Sequence, residues 1–517
     1  MREDKSRLQN ATLNTIWAIF TQLVIVLLGL LSRKVFLTNL GAELLGVNNL
    51  FSDVLMLFSF ADLGFGTAIM FSMYQPIAEN NEKKVQSMLL FYRTIYRFVI
   101  LALMIISLGF VPFLPFIKTD IKFNELIIYY LFFQLSNIIE YVWAYRESYV
   151  IACQRERELS KWNLIYNVVK NIGQIMVVIV CHNFVAYLLI GLACVVGKKL
   201  LINSYILSHY PITSLKNVEQ LPKNEKNSIV RKSVALVITK VGNLIINQTD
   251  SLIVSYLISV VEWGFASNYL VIKKAIFNVS DKIYSAVLPS MGNLLVEDDK
   301  EHHTKVFLKY DFMNAWMHTF FFVAFLSLSN PFIELFFGEK AVLNISFVFI
   351  FFFASFIDGL RSPVSVMREA GGSFEQDKWY TILAAFVNIV VSVPLAVNMG
   401  LVGVYIGTVC AMIVLHICRT IVLLNGKKYS ITVQEYFVIL LRHAVVGFFF
   451  GVGTLWVTCM LDGFISNKYF LFLAKCILVA FIPNILWLLV YCRNQIMKEL
   501  WYKFISIIRN KRGQMYE

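Results

Sequence analysis

Residues 11–31 read ATLNTIWAIFTQLVIVLLGLL and contain no charged side chain. An α-helix rises about 1.5 Å per residue, so a helix of this length would cross the roughly 30 Å hydrocarbon core of a bilayer. The run is too long for the apolar core of a signal peptide, and no small-residue cleavage site follows it. We therefore predict that this segment stays in the membrane as the first transmembrane span.

Apolar runs of similar length recur along the whole chain. Of its 517 residues, 58% are hydrophobic and 15% are charged, whereas a soluble domain is about one quarter charged. This composition excludes a soluble enzyme, a disulfide scaffold and a nucleic-acid-binding protein. It predicts an all-α integral membrane protein with about fourteen transmembrane helices. The predicted spans are 11–31, 44–74, 91–116, 123–150, 163–181, 184–207, 231–258, 264–290, 312–337, 342–366, 379–397, 402–424, 436–460 and 469–491.

The most polar connection follows the sixth predicted span and contains Pro211 and Pro222. It predicts a junction between two halves. The predicted segments are an N-terminal lobe over 1–207, a cytoplasmic linker over 208–230, a C-terminal lobe over 231–424, two further spans over 425–491 and a basic cytoplasmic tail over 492–517.

The distribution of Lys and Arg predicts the orientation. With the N-terminus in the cytoplasm, the inner loops and the tail contain most of these residues, as cytoplasmic segments do. The outer segments then hold only Arg33, Lys34, Lys118, Lys122, Lys340 and Lys468. Both termini are therefore predicted to be cytoplasmic, which requires an even number of spans.

The two halves are weakly similar to each other. A shift of 218 positions lays the segment 40–46, LGAELLG, over the segment 258–264, ISVVEWG. Both halves would begin on the cytoplasmic side, so the similarity predicts a parallel repeat about an axis along the membrane normal. Two pseudo-symmetric six-helix lobes around a central cavity are the expected result.

Basic side chains at membrane depth form the first group of candidate site residues. A charge inside the hydrocarbon is costly and normally faces a protein interior or a wet cavity. Several fixed cations around one cavity would bind a phosphate or pyrophosphate, although Lys and Arg near the ends of spans can instead extend to the headgroups. The candidates for this substrate-binding site are Arg33, Lys240, Lys273, Lys274, Arg361 and Arg419.

Acidic and amide side chains form the second group. A buried carboxylate can exchange a proton during a transport cycle, or it can neutralise a basic neighbour. Asp358 lies three residues before Arg361, so these two side chains are expected to pair on one helix face. The candidates for coupling or for a polar cavity are Asp62, Glu140, Asn247, Asp250 and Asp358.

The sequence contains no phosphate-binding glycine loop, no HExxH motif and no nucleophile elbow, the motifs that would indicate catalysis. We predict no catalytic residue, no metal site and no cofactor. Without an ATPase motif, an H⁺ or Na⁺ gradient remains as the open possibility for an energy source.

Several short motifs are similar to those of one known family. The runs 39–50 (NLGAELLGVNNL) and 60–68 (FADLGFGTA) resemble the opening of Wzx-type bacterial polysaccharide flippases. The same holds for ACQR at 152–155, NQTD at 247–250, ASNY at 266–269 and NMGLVG at 398–403. The resemblance extends over the first twelve predicted spans.

The resemblance implies a fold and a function. It implies two six-helix lobes around a cationic cavity that opens to alternate sides, as in the superfamily that also contains MATE exporters and the lipid II flippase. The implied substrate is an undecaprenyl-pyrophosphate-linked oligosaccharide, flipped in the bacterial cytoplasmic (inner) membrane for O-antigen, capsule or exopolysaccharide assembly. Implied partners are membrane lipids, a polysaccharide polymerase and other assembly proteins. This agrees with the independent interpretation of Lys240, Lys274 and Arg361 as a pyrophosphate site.

Three alternatives stay open at this point. A MATE-like exporter of cationic drugs would need an acidic cavity, which the abundant Lys and Arg do not favour. A lipid II flippase would have a cationic cavity much like the predicted one. A non-transporting membrane scaffold would have no need of the charges deep in several spans.

Overall fold

The computed structural model describes most of the chain. The described residues are 2–58, 70, 72–153, 155–215, 218–227, 229–230, 248–295, 299–371, 377–426, 428–500 and 502. Within these ranges the secondary structure is helical, with no β-strand. This confirms the predicted all-α fold class.

Long α-helices connected by short loops make up the described chain. In the first half these are α1 (Arg2–Phe58), α2 (Glu82–Phe110), α3 (Phe123–Tyr141), α4 (Ala144–Ala152), α5 (Glu156–Cys181) and α6 (Phe184–His209). In the second half these are α7 (Val260–Leu294), α8 (Lys300–Phe337), α9 (Ile345–Leu360), α10 (Ser362–Ala370), α11 (Asp377–Met399), α12 (Leu401–Asn425), α13 (Val433–Met460) and α14 (Lys468–Tyr491). A π-helical turn over Val254–Ile258 precedes α7.

Side-chain caps explain where several of these helices begin. The first backbone N–H groups of a helix have no partner within it and are satisfied by Asn, Asp, Ser or Thr at the N-cap. In α13, Thr432 and Glu435 form a reciprocal capping box, which is the arrangement expected for a Thr three residues before a Glu. The other helices with a side-chain cap begin after Asn81, Asn183, Asp299, Asn344 and Asn467.

The described residues contain fewer candidate membrane spans than the fourteen that the sequence predicts. Among the described residues, ten helices are long and apolar enough to cross a membrane, and the pair α3 and α4, bent by 44°, would make an eleventh. The predicted first span and residues 44–58 of the predicted second span lie in α1, on either side of Gly41, whose φ of 87° suits glycine. The rest of the second span lies largely outside the described residues. The predicted seventh span, 231–258, lies largely outside the described residues. The chain is thus a multi-pass membrane protein, and a total of fourteen spans stays a prediction.

The predicted eighth span coincides with α7, which is not among those ten helices. Its polar content explains why. It carries Glu262, Lys273, Lys274, Asp281 and Lys282.

The described chain divides into two compact units, Met1–Ser267 and Asn268–Glu517, called here the first and second unit. Residues 248–267 belong to the first unit because they pair with the loop after α2. Lys118 N–H donates to the Ser255 carbonyl at 3.1 Å, and Val260 N–H donates to the Lys118 carbonyl at 3.2 Å. The Lys118 ammonium also donates to the Leu257 carbonyl. The predicted lobe limits at 207 and 231 stay a prediction.

Glycines at four-residue spacing allow helices in the second unit to pack closely. A β-carbon at Gly403 or Gly407 in α12 would overlap the backbone of α11. A β-carbon at Gly447 or Gly451 in α13 would overlap the rings of Phe356 and Phe322. Small residues at this spacing let neighbouring membrane helices approach each other, and here they bring α12 against α11 and α13 against α8 and α9.

Candidate functional site

The first unit contains a polar cavity of about 460 Å³ between α1, α3, α5 and α6, called here the N-unit cavity. Its polar lining consists mainly of amide and hydroxyl groups, with one ammonium and one carboxylate. These side chains are Asn48, Ser52, Ser136, Asn137, Glu140, Lys170 and Gln174. Aromatic rings, including Tyr166 and Tyr187, complete the wall.

Glu140, a predicted cavity residue, lies at one end of a charge cluster on α3, α4 and α6. Its carboxylate accepts from the Lys198 ammonium at 2.5 Å and lies 3.4 Å from that of Lys199. Lys199 also donates to Glu147 at 2.6 Å. Glu140 is therefore neutralised by two lysines that follow each other in the sequence.

Lys170 supplies a positive charge on the cavity wall. Its ammonium lies 5.6 Å from the ring centroid of Tyr166, and the Lys198 ammonium lies 4.5 Å from the same centroid. Within the described residues, no carboxylate lies within 4.0 Å of the Lys170 ammonium. A cation above an aromatic face is stabilised by the ring quadrupole, and it remains available to an anionic ligand.

Arg33 lies elsewhere in the first unit, where it contacts the segment before the unit boundary. Its guanidinium donates to the Ser267 hydroxyl, which also accepts from the Asn49 amide at 2.9 Å. Ser267 in turn donates to the Gly264 carbonyl at 2.6 Å.

Asp250, another predicted site residue in the first unit, is buried, with 7% of its surface exposed.

The same region brings together positions that differ by the predicted repeat shift. Asn49 and Ser267 are 218 positions apart. Gly46 and Gly264 are also 218 apart, and a β-carbon on Gly264 would lie 3.2 Å from the Gly46 nitrogen. The parallel repeat itself stays a prediction.

The second unit holds another group of predicted residues. Arg361, at the junction of α9 and α10, donates to the Asp358 carboxylate at 3.2 and 2.5 Å. Arg361 and Arg419 both donate to the Ser365 hydroxyl, at 3.3 and 3.4 Å. The predicted pairing of Asp358 with Arg361 is confirmed.

A buried histidine network adjoins this ion pair. Tyr284 donates to the Asn314 side chain at 3.0 Å and lies 2.5 Å from His318 Nε2. Asn314 donates to the Gly359 carbonyl at 3.0 Å. A β-carbon at Gly359 would overlap the His318 ring, so glycine is required at that position of α9.

Lys273 faces this interior, whereas its neighbour Lys274 is exposed. The Lys273 ammonium lies 5.6 Å from the ring centroids of Phe277 and Phe351. It also acts electrostatically on Asp358. Of these two adjacent lysines on α7, Lys273 therefore lies at an interior position and Lys274 at an exposed one.

The structure thus distributes the predicted site residues over several places. Lys273, Asp358, Arg361 and Arg419 meet in the second unit, and Glu140 lines the N-unit cavity. Three predicted residues, Asp62, Lys240 and Asn247, lie outside the described residues.

Sequence reasoning did not select Lys170, Lys198, Lys199 or His318 as site residues. The adjacent lysines inside the apolar run 184–207 were the available signal for Lys198 and Lys199. A single histidine in an apolar helix gives no such signal.

No protein-family model and no curated protein sequence matches the chain. Solved structures match it over most of its length. One is described as the lipid II flippase MurJ in an inward closed conformation, with 16% identity, a TM-score of 0.62, and coverage of 92% of this chain and 99% of that one. Another is an inward-facing multidrug resistance MATE family transporter of the MOP superfamily, with 17% identity, a TM-score of 0.64, and coverage of 80% and 99%.

At such low identity these matches establish the fold. The chain has the fold shared by these two membrane transporters, and neither of them is described as an enzyme. The sequence resemblance implied a fold of this kind. The narrower resemblance to Wzx-type flippases stays a prediction.

Proposed function

We propose that the chain is a flippase that moves undecaprenyl-pyrophosphate-linked oligosaccharide units from the cytoplasmic to the outer leaflet for surface polysaccharide assembly. The observation that carries this proposal is the N-unit cavity, a polar, hydrogen-bonding chamber with a lysine on its wall inside a membrane transporter fold. The proposed mechanism is alternating access, with no chemical step and no cofactor.

The lining of the N-unit cavity suits a sugar. Asn48, Asn137 and Gln174 offer both donors and acceptors, and the Asn137 amide nitrogen is buried without a hydrogen-bond partner among the described residues. The apolar faces of the aromatic rings can stack on pyranose rings. A volume of about 460 Å³ lies within the range of small-ligand sites, so this chamber would hold a part of the oligosaccharide.

The basic residues suit the pyrophosphate. In the first unit, the ammonium groups of Lys198 and Lys199 pair with Glu140 and Glu147. Lys170 lies on the cavity wall with no described carboxylate within 4.0 Å, and Arg146 donates to the Asn203 side chain. In the second unit, Lys273 and Arg419 accompany the pair of Asp358 and Arg361. An excess of positive charge at membrane depth is costly unless an anion is bound there, and a pyrophosphate supplies that anion.

The same charges argue against an exporter of cationic drugs, which remains the alternative with the MATE-like fold. Such a substrate requires a free carboxylate in the cavity. Glu140, the carboxylate of the N-unit cavity, is already bound by two lysines. A cation entering this cavity would have to displace them.

A lipid II flippase is the second candidate, and one observation favours it. The solved structure described as a lipid II flippase aligns with 92% of this chain, against 80% for the MATE transporter. Both lipid-linked substrates carry an undecaprenyl pyrophosphate, so the basic residues suit either one. The attached sugars distinguish the two functions.

The proposal includes a location and partners. The protein would lie in the cytoplasmic membrane of a bacterium with both termini in the cytoplasm, in accordance with its Lys and Arg distribution. An H⁺ or Na⁺ gradient would drive the cycle. A polysaccharide polymerase would act on the flipped product in the outer leaflet.

The test compares lipid extracts from a strain that lacks the gene with extracts from the same strain after complementation. We expect undecaprenyl-pyrophosphate-linked oligosaccharide to accumulate on the cytoplasmic face and surface polysaccharide to disappear in the absence of the gene. Accumulation of lipid II instead would identify the second candidate. Unchanged levels of both lipids would contradict a flippase of either kind.

Point variants connect this assay to the site. We expect Lys170→Gln and Arg361→Gln to reduce surface glycan per unit of the protein present in the membrane. Lys340→Gln is the matched control, because Lys340 is exposed in the loop after α8. Normal glycan in both site variants would remove these cations from the mechanism.

A further inference from the structure

A second buried polar cluster lies in the second unit, between α8, α13 and α14. Asp311 on α8, Tyr436 and His443 on α13, and Tyr491 on α14 are each no more than 3% exposed. Apolar aromatic rings surround them. Phe312 and Trp487 lie 5.5 Å apart between ring centroids, and the imidazole of His443 stacks on Trp487 at 5.9 Å.

The two carboxylate oxygens of Asp311 differ in their hydrogen bonding. Oδ1 accepts a hydrogen bond from the Tyr436 hydroxyl at 2.8 Å. Oδ2 is buried and accepts no hydrogen bond from any described residue. The nearest polar atom across from it is Nε2 of His443, at 3.6 Å.

The orientation of His443 is fixed by its other nitrogen. Nδ1 lies 2.8 Å from the Tyr491 hydroxyl. If that hydroxyl donates to Nδ1, the neutral imidazole carries its proton on Nε2, the atom that faces Asp311. The histidine is therefore held with a potential donor aimed at the free carboxylate oxygen.

The remaining titratable and charged groups around this pair leave its charge uncompensated. They are Tyr310 on α8, Tyr436 and Arg442 on α13, and Tyr491 on α14. Arg442 lies over the Tyr491 ring, 4.7 Å from its centroid, rather than against the carboxylate. An ionised Asp311 beside a neutral His443 would be a buried negative charge without a cation, an arrangement of high free energy.

One added proton removes that charge. It gives either a carboxylic acid beside a neutral imidazole or a carboxylate beside an imidazolium, and the net charge of the pair is zero in both cases. We propose that Asp311 and His443 form a proton-binding site at the junction of α8, α13 and α14. Its ligand is a single proton, held either by the Asp311 carboxyl group or by the His443 imidazole, whose facing atoms Oδ2 and Nε2 lie 3.6 Å apart.

The location gives this site a mechanical role. Its members come from three helices, and they hold α13 and α14 against α8 inside the unit. With the proton bound, both polar faces of the pair are satisfied and the three helices pack firmly. Loss of the proton leaves a buried charge that weakens the contact. Occupancy by a proton therefore controls how tightly α13 and α14 are held, whatever substrate the protein carries.

The test is infrared spectroscopy of the purified full-length protein in lipid nanodiscs as the pH is raised from about 5 to about 9. We expect a carbonyl band of a protonated carboxylic acid that disappears within this range and is absent from Asp311→Asn. Asp462→Asn is the control, because Asp462 is half-exposed and paired with Lys475 at 2.6 Å. Persistence of the same titrating band in Asp311→Asn would overturn the proposal.

Two further variants keep the proposal testable if Asp311→Asn does not fold. Tyr436→Phe removes the donor to Oδ1, which stabilises the charged carboxylate, so the midpoint of the band should move to higher pH. His443→Gln removes the second proton acceptor and should also change the midpoint. Unchanged midpoints in both variants would assign the band elsewhere and contradict the site.

Discussion

The guanidinium of Arg361 donates two hydrogen bonds to a single carboxylate oxygen of Asp358, from Nε at 3.2 Å and from Nη2 at 2.5 Å. Arg361 was predicted both as a cation for a phosphate and as the partner of Asp358, and the structure shows the pair. A phosphate approaching this group would have to compete with Asp358. Lys273 and Arg419, which surround the pair, would then supply the additional positive charge.

This ion pair predicts a non-additive response to mutation. Arg361→Gln leaves Asp358 in a largely buried place without its cation, and Asp358→Asn leaves the guanidinium without its anion. Removal of one partner of a buried pair costs on the order of 3 kcal/mol. We expect each single variant to lower the thermal unfolding temperature in detergent, and the double variant to lower it by less than the sum. Strict additivity would mean that the two groups are independent.

Two adjacent lysines provide an internal comparison in the first unit. Lys199 is 5% exposed and contacts both Glu140 and Glu147, whereas Lys198 is 10% exposed and contacts Glu140 alone. Lys199→Met leaves Glu147 without its cation and weakens the compensation of Glu140. We expect it to destabilise the protein by on the order of 3 kcal/mol, and Lys198→Met by less. Thermal unfolding of the two variants, side by side, measures the difference, and the reverse order would contradict the assigned contacts.

The close packing of Gly46 predicts that an added β-carbon destabilises the protein by steric overlap, an effect that can be separated from helix propensity. A β-carbon at this position would overlap the carbonyl oxygen of Val260, whereas a β-carbon at Gly29, on the same helix α1, would meet nothing within 4 Å. Overpacking of this kind costs about 1–3 kcal/mol. We expect Gly46→Ala to lower the unfolding temperature and Gly29→Ala to leave it unchanged or raise it. Equal effects of the two substitutions would show that the approach to Val260 is not close.

The ion pairs of Glu499 predict that the docking of a segment near the end of the chain depends on pH. It lies in a helical segment over 495–500, where a hydrogen bond from Lys309 and the charge of Lys305 hold the pKa of its carboxyl below the ordinary value for Glu. Because this pKa is lowered, the contact fully stabilises the docked segment when the pH is above the ordinary pKa of Glu. The stabilisation is lost as the pH falls through the lowered pKa, below about 4.

The neutral variant Glu499→Gln imitates the acidic state at neutral pH. We expect faster hydrogen exchange in residues 495–500 of this variant, without a change in α8. Glu369→Gln, at an exposed position of α10, serves as the control. Exchange at the wild-type rate in Glu499→Gln would show that the ion pairs with Lys305 and Lys309 do not hold the segment.

The sequence predicted what depends on local spacing, and it missed what depends on packing between distant segments. Helical periodicity is short-ranged, so the pairing of Asp358 with Arg361 followed from a separation of three residues. The contact of Glu140 with Lys198 joins residues 58 positions apart, and the contact of Tyr284 with His318 joins residues 34 apart. Which faces of two helices meet is decided by the whole bundle, so neither contact could be read from a single span.

The break at Gly41 illustrates a second limit. Hydropathy leaves residues 32–43 outside the first two predicted spans, whereas in the structure α1 includes them, with its break at Gly41. A hydropathy window averages over many residues, so it does not identify the single glycine at which the helix breaks.

The close approach of the segments around Gly46 and Gly264 has a consequence for second-site rescue. A β-carbon at Gly46 would overlap the carbonyl oxygen of Val260, and one at Gly264 would overlap the carbonyl oxygen of Ala42. These obstructing atoms belong to the backbone, which every residue has. Trimming a side chain on the opposite segment therefore cannot make room for a larger residue at either glycine, so a suppressor of such a substitution would have to move a whole helix.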